Sequence, residues 1–441
     1  MTARDLAAVV LAGGLGTRMH SDTPKHLHPI LGRRMVDWVL EATRALEPDP
    51  LVVVSSPEAR DAYDDVEVAV QAEPRGTGDA LISAREALDG FDGDVLLVSG
   101  DTPLLTAELL EQLVETHRDD GAAATVLTFE PGDPGDYGRI VRGEDGAVRE
   151  IVEAVDASEE QLRIGEANSS IYVFAADRVW PALEKLEAAN AQGELYLTDA
   201  VSHLAAGGER IGAHVANPAL DAEGVNTRAE LAVAAAALRD RVNEQHMLAG
   251  VTIVDPATSW IDADVELEPD AVIHPFTVLR GKTRVAARAE VGPHAVAIDA
   301  QIGPGATVGP FCYLRPGTVL EAGAKAGTFV EIKNSHIGEG AKVPHLSYIG
   351  DAEVGEGTNI GAGAITANYR PELAGGKQKT TIGRNVHTGS QNVFVAPVTI
   401  GDNAWVAAGS VVTKNVPPGA LAIGRSGQVN KEGYDDRKRH D

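Results

Sequence analysis

The chain has 441 residues, and because one domain usually holds about 100 to 200 residues, two or three domains are expected. Hydrophobic residues at 44% exclude extensive disorder, while 4% aromatics beside 47 glycines point to one region built from small residues and turns. A formal charge of −27, from 38 Lys and Arg against 65 Asp and Glu, argues against nucleic acid and anionic membranes as partners, so a phosphorylated ligand must be met by local cations and backbone amides.

The single cysteine, Cys312, allows no intramolecular disulfide and fits a reducing compartment. The apolar run Leu6 to Ala12 follows Arg4 and Asp5 and runs into glycines, too short for a signal or spanning segment. The expected location is cytoplasmic.

Up to about residue 226, short apolar runs alternate with amphipathic stretches: "LAAVVLAGG", "MVDWVLEATRAL", "LVVVSS", "DALISAREAL", "DVLLVSGD", "LLEQLVETH", "ATVLTF". This order predicts a mostly parallel, Rossmann-like α/β sheet with ligands at the carboxyl ends of its strands. The first strand leads into "VVLAGGLGTRM", where Gly13, Gly14 and Gly16 precede an expected helix. Glycines let backbone N–H groups approach a phosphate, and Arg18 and Lys25 add the charge that a triphosphate requires. No Gly-Lys-Ser/Thr follows, and Met19 stands where a dinucleotide fingerprint has its third glycine, so neither of those motifs is present.

"QAEPRGTGDA" brings Gln71, whose amide can both donate to and accept from a pyrimidine edge, with Gly76 and Thr77. "VLLVSGDTPLL" sets Asp101 directly after an apolar strand, where a carboxylate can help hold Mg²⁺; Asn226 in "EGVNTR" is a candidate second ligand. Each of these stretches taken singly also fits an ordinary turn.

Residues 227 to 250, "TRAELAVAAAALRDRVNEQHMLAG", read as one long connecting helix. Beyond it the period changes to six. Leu267, Ile273, Leu279, Val285, Val291 and Ala297 are six apart, as are Ile302, Val308, Leu314, Leu320, Ala326 and Ile332 after one shorter step. The series runs on through Ile337, Val343, Ile349, Val354, Ile360 and Thr366, and after a loop through Ile382, Thr388, Phe394, Ile400, Val406 and Val412. Three such steps make one coil of a parallel β-helix, left-handed in the sense that hexapeptide-repeat proteins usually show. Against that repeat, Arg315, Lys333, His345, Tyr348, Asn359, Asn368 and Tyr369 are polar residues that stacking does not require. Cations there suit a sugar phosphate, and a histidine can take the proton from an ammonium whose nitrogen attacks a thioester. The expectation is that these residues, from neighbouring coils, converge on one cleft.

In order and spacing, "LAGGLGTRM" with "PK", "QAEPRGTG" and "SGDTPL" resemble the sugar-nucleotide pyrophosphorylases. With "YGRI" at 137–140, "IVEAVDAS" at 151–158, "EANSSIYVF" at 166–174, "NAQGELYLTD" at 190–199 and "EGVN" at 223–226, the chain resembles, over nearly its whole length, the bacterial GlmU family. Its members are bifunctional N-acetylglucosamine-1-phosphate uridyltransferases and glucosamine-1-phosphate acetyltransferases. The resemblance implies a uridyltransferase domain at 1–227, a linker helix at 228–250, and a left-handed β-helix acetyltransferase domain with a tail at 251–441.

It further implies that Leu11, Ala12, Gly13, Gly14, Lys25, Gln71, Gly76, Thr77, Ser99, Gly100 and Asp101 hold the uridine nucleotide. Gly138, Glu153, Asn168 and Asn226 would hold the sugar, Asp101 and Asn226 would bind Mg²⁺, and Lys25 and Arg18 would stabilise charge during the reaction. In the β-helix, Arg315, Lys333, Tyr348 and Asn359 would bind the amino-sugar phosphate, with His345 as proton acceptor. Ala362, Asn368, Tyr369, Ser390, Ala408 and Arg425 would contact acetyl-CoA, between neighbouring β-helices of a trimer. UDP-N-acetylglucosamine made in this way would feed peptidoglycan and lipopolysaccharide-type precursors. The chain departs from the family where Ala154 and Val155 replace the usual His-Lys after Glu153, and where "NYRPELAGGKQKT" lengthens the turn after Asn368 and Tyr369. Two other readings remain at this point: a nucleotidyltransferase whose β-helix only regulates or trimerises, and a non-catalytic scaffold.

Overall fold

Short runs, most of them aliphatic and bounded by polar turns, become strands in the first part of the chain. In order these are β1 (Leu6–Ala12), the short pair β2 (Pro29–Ile30) and β3 (Arg33–Arg34), β4 (Leu51–Ser55), β5 (Glu67–Val70), β6 (Asp94–Ser99), β7 (Ala124–Phe129), β8 (Arg139–Arg142), β9 (Val148–Val152), β10 (Ala167–Ala175) and β11 (Ile211–Val215). The helices between them are α1 (Met35–Arg44), α2 (Thr77–Ser83), α3 (Ala107–Asp120), α4 (Ala176–Leu183) and α5 (Leu197–Ala206), followed by α6 (Arg228–Leu248). The computed structural model describes residues 5–14, 16–188, 190–373 and 375–434.

The main sheet runs in the order β11-β7-β10-β6-β1-β4-β5. β1 is parallel to both β4 and β6, and β10 is antiparallel to both β6 and β7. Alternate residues of β1 serve the two faces. Ala7 and Val9 pack with Leu81 of α2, Val179 of α4 and Leu197 of α5, whereas Ala8 and Val10 pack with Val39 of α1 and Leu110 of α3. A strand covered on both sides is apolar along its length, which is why β1 lacks polar alternation. The register sets Leu11 beside Ser99, so the carboxyl ends of β1 and β6 open at the same level.

The helix expected directly after Gly16 is absent. A single 3₁₀ turn, Thr17–Met19, stands there, bracketed by Gly16 at φ 59° and His20 at φ 48°. Two left-handed residues flanking three others stop helical propagation, and α1 begins only at Met35.

The chain divides into two units, Met1–Leu238 and Arg239–Asp441, so the division falls inside α6. In the second unit three parallel sheets stack, with partners mostly 17 or 18 residues apart, as in Val272 to Glu290 and Glu290 to Thr307, and farther apart where the long segment intervenes, as in Ala352 to Thr380. The unit is a left-handed parallel β-helix of hexapeptide repeats. The six-residue series is buried at every position except Leu267, which lies on the edge strand of its sheet and keeps one side open. Small residues fill the turns between faces, and their hydroxyls satisfy turn carbonyls, as Thr318 Oγ1 does at 2.6 Å from Arg315 O. Cys312 occupies one such position at 2% exposure, where burial pushes its thiol up to about 12. Among the described residues no helix is long and apolar enough to cross a membrane.

Candidate active sites

Two cavities meet where β1 and β6 end. One, of about 510 Å³, is walled by the glycine loop and by Lys25, Gln71 and Thr77; the other, of about 530 Å³, by Gly138, Glu153, Asn168 and Asn226. Ser99, Asp101 and Ser170 line both. Leu11, Ala12, Gly13, Gly14 and Gly76 are also on the wall of the first. Gly100 sits behind it, its amide donating to Leu11 O at 2.8 Å. Arg18 is on the wall of the second cavity, paired with Asp136 at 3.1 Å. Lys25 lines the first cavity and Arg18 the second, while Asp101, which Lys25 contacts, lines both.

Lys25 Nζ donates to Asp101 Oδ2 and, at 2.9 Å, to Asn226 Oδ1. Burial alone would raise the Asp101 carboxyl, but the Lys25 ammonium and the hydrogen bonds from Lys25 and Ser99 outweigh it and hold the group below the usual carboxylate range. Val225 N donates to Asp101 O at 2.8 Å, and the Tyr137 hydroxyl accepts from Gly224 N at 3.1 Å, which together fix Asn226 against Asp101. Glu153 is raised by burial, with the Thr198 hydroxyl 3.2 Å away opposing that shift. After Glu153 the chain turns outward, and Val155 is 61% exposed.

Sequence reasoning overlooked Asp79, which accepts from Gln71 Nε2 at 2.9 Å and, with Gly76 O at 3.1 Å, ties down both amide hydrogens. The Gln71 carbonyl oxygen is left beside Gly13, where a β-carbon would lie 3.0 Å from it. Thr77 Oγ1 accepts from Leu197 N at 3.1 Å, joining the start of α2 to the start of α5.

On the β-helix, the register decides which side chains share a corner. Lys342 pairs with Asn359, Asn359 with His387, and His387 with Trp405. Three positions further along the same coils stand His345, Ala362, Ser390 and Ala408, one above another. The backbone confirms the stacking: Gly363 N donates to His345 O at 3.2 Å, Gln391 N to Ala362 O at 2.7 Å and Gly409 N to Ser390 O at 2.8 Å. His345, Ser390 and Ala408 are exposed and Ala362 half-exposed, and a β-carbon on Gly409 would lie 3.5 Å from Arg425 Cδ.

Around that corner, after Leu346 at φ 48°, the next face carries the other polar set. Glu331 is beside Tyr348 and Lys333 beside Gly350; Arg315 Nη1 donates to Glu331 Oε1 at 2.8 Å, and Asn368 Nδ2 to the Tyr348 hydroxyl at 3.5 Å. Asn359 stays on the face of His345. The expected single cleft is therefore a corner with two flanks, because the chain turns between His345 and Tyr348. A nearby cavity of about 360 Å³ is lined by Asn334, His336, Lys377 and Lys379, and not by His345, Tyr348 or Lys333. The long segment after Asn368 leaves as a hairpin in which Tyr369 pairs with Lys377, and Tyr369 is 68% exposed.

Residues 8–205 match the MobA-like NTP transferase domain, and residues 379–414 match the hexapeptide repeat of succinyl-transferase. Fold and sites together define an enzyme in which a nucleotidyltransferase unit is followed by a hexapeptide-repeat acyltransferase unit. Over 99% of its length the chain is 51% identical to the bifunctional protein GlmU of Streptomyces avermitilis, covering 95% of that relative, and 50% identical to that of Streptomyces coelicolor with the same coverage. To the GlmU of Mycobacterium tuberculosis strain H37Ra it is 48% identical, over 99% of this chain and 93% of the relative. The chain belongs to the GlmU family.

Proposed function

We propose that the chain makes UDP-N-acetylglucosamine in two steps. An acetyl group passes from acetyl-CoA to the amine of glucosamine 1-phosphate, and the N-acetylglucosamine 1-phosphate formed then attacks UTP and releases pyrophosphate. The observation that carries this reading is the corner column, in which exposed His345 ends a row of small residues on successive coils. Three steps at roughly 4.8 Å give a track of roughly 14 Å on which the thin arm of acetyl-CoA can lie. A β-helix that only stacked would need neither His345 nor Tyr348.

In the first reaction His345 takes a proton from the ammonium as the nitrogen attacks the thioester carbonyl, and the CoA thiolate leaves. Arg315, Lys333, Tyr348 and Asn359 hold the sugar phosphate. Ala362, Asn368, Tyr369, Ser390, Ala408 and Arg425 hold the coenzyme.

In the second reaction no base is needed, because the attacking phosphate oxygen is already ionised near neutral pH. The glycine loop, Gln71, Gly76 and Thr77 orient UTP, Gly138, Glu153, Asn168 and Asn226 orient the sugar phosphate, and Lys25 and Arg18 stabilise charge around the α-phosphorus. Asp101 and Asn226 suit Mg²⁺, since their side-chain oxygens already converge on one cation, the Lys25 ammonium. Bound there, Mg²⁺ supplies positive charge against the phosphate oxygens.

The active form is a trimer of identical chains. A ladder on the β-helix supports this: the rings of Phe276, His294, Phe311 and Phe329 stack at 4.7, 4.8 and 5.3 Å, with the three phenylalanines each about half exposed. Such a stripe is better buried against another chain than left in water. The lone buried cysteine supports a cytoplasmic setting.

An assay pair tests the proposal. Purified protein given acetyl-CoA and glucosamine 1-phosphate should release thiol, and given UTP, Mg²⁺ and N-acetylglucosamine 1-phosphate should release pyrophosphate. Pyrophosphate without thiol would mean that the β-helix serves structure alone, and release of neither product would leave a scaffold.

A further inference from the structure

We propose that Lys25 is a tethered cation that fills the Asp101–Asn226 pair until nucleotide arrives, so that the free enzyme resists loading a divalent ion by itself. This rests on the reading of Asp101 and Asn226 as the metal ligands. The Lys25 ammonium donates to Asp101 Oδ2 and Asn226 Oδ1, the same oxygens a divalent ion requires. The side chains of Lys25 and Asp101 are 14% and 19% exposed, so the contact is screened far less than a surface pair. Backbone ties at Val225 and Gly224 hold the two oxygens together. Two cations cannot share them without strong repulsion.

Lys25 also faces the nucleotide cavity, and its Cβ packs so closely on Gly16 that a β-carbon there would lie 2.5 Å away. The base of the side chain is thereby fixed while its ammonium can turn. A phosphate oxygen in that cavity offers the ammonium another acceptor, and the pair is then free for the metal. Without nucleotide, apparent metal affinity falls by the fraction of molecules in which the pair is unoccupied.

The test is Mn²⁺ titration, followed by electron paramagnetic resonance, of wild type, Lys25→Met, Arg18→Met and Asp101→Ala, each with and without UTP. Without UTP, Lys25→Met should bind Mn²⁺ roughly tenfold or more tightly than wild type, since two hydrogen bonds from a charged donor no longer compete. Arg18→Met removes the same charge from the neighbouring cavity but not those bonds, and should gain no more than about threefold. With saturating UTP the Lys25→Met advantage should vanish or reverse. Equal gains for the two variants, or no gain for Lys25→Met, would overturn the inference while leaving the metal ligands in place. If Asp101→Ala binds Mn²⁺ and UTP as wild type does, the ligand assignment fails and the inference fails with it.

Discussion

Burial holds His26 neutral beside Lys25: the residue is 3% exposed, and its imidazole ionises near 4 instead of 6.5. Loss of hydration is the largest cause, Asp101 opposes it, and Lys25 and Arg34 reinforce it. As pH falls, the unfolded chain therefore takes up a proton first, and the stability tied to this group, complete above about 6.5, declines toward pH 4. Between pH 7 and 5, wild type should lose on the order of 1–2 kcal/mol more in urea unfolding than His26→Leu. Equal losses would show that His26 does not carry the effect. Residues that chemistry names by type and spacing, such as Asp101, Gln71 and His345, were singled out in the sequence as candidates. Asp79, Tyr137 and His26 were not, because they act through a neighbour that only the fold brings near. In the sequence Asp79 looks like any acid in the first turn of a helix.

At the scale of elements, the loop 74–78 and the segment before α5 form a clasp beside the cavity that Gly76 and Thr77 line. Gly78 N donates to Leu195 O at 2.9 Å and Leu195 N to Arg75 O at 2.8 Å. Gly76 lies at φ 111°, and a β-carbon on it would sit 2.6 Å from Leu195 O. Gly76→Ala should therefore open the clasp and raise the KM for UTP by roughly tenfold or more, with thiol release from acetyl-CoA unchanged; an unaltered KM would mean that the clasp does not shape the site. The six-residue period made the β-helix readable, since each aliphatic residue repeats the same inward position. Glycine-rich turns are less informative: Gly13, Gly14 and Gly16 fit both a helix start and the 3₁₀ turn observed, and the choice lies in backbone angles at Gly16 and His20. The corner between His345 and Tyr348 was likewise hidden, because spacing gives inward or outward but not which flank.

For the whole molecule, the change of period near residue 250 announced two bodies, whereas their division inside α6 was not legible, since one continuous alanine-rich helix serves both. The aromatic ladder was also invisible as a unit. Its members are 17 or 18 residues apart in the sequence and meet only through stacking. Phe311→Lys places a charge in its middle, and light scattering should then report a mass below that of a trimer, with thiol release falling and pyrophosphate formation kept; a persistent trimer would remove the ladder from the interface. The central claim is that one chain houses two independent active sites, and paired assays on His345→Ala and Asp101→Ala test it most directly. His345→Ala should abolish thiol release and leave pyrophosphate formation within about twofold, and Asp101→Ala should do the reverse. Loss of both activities in either folded variant would contradict the account.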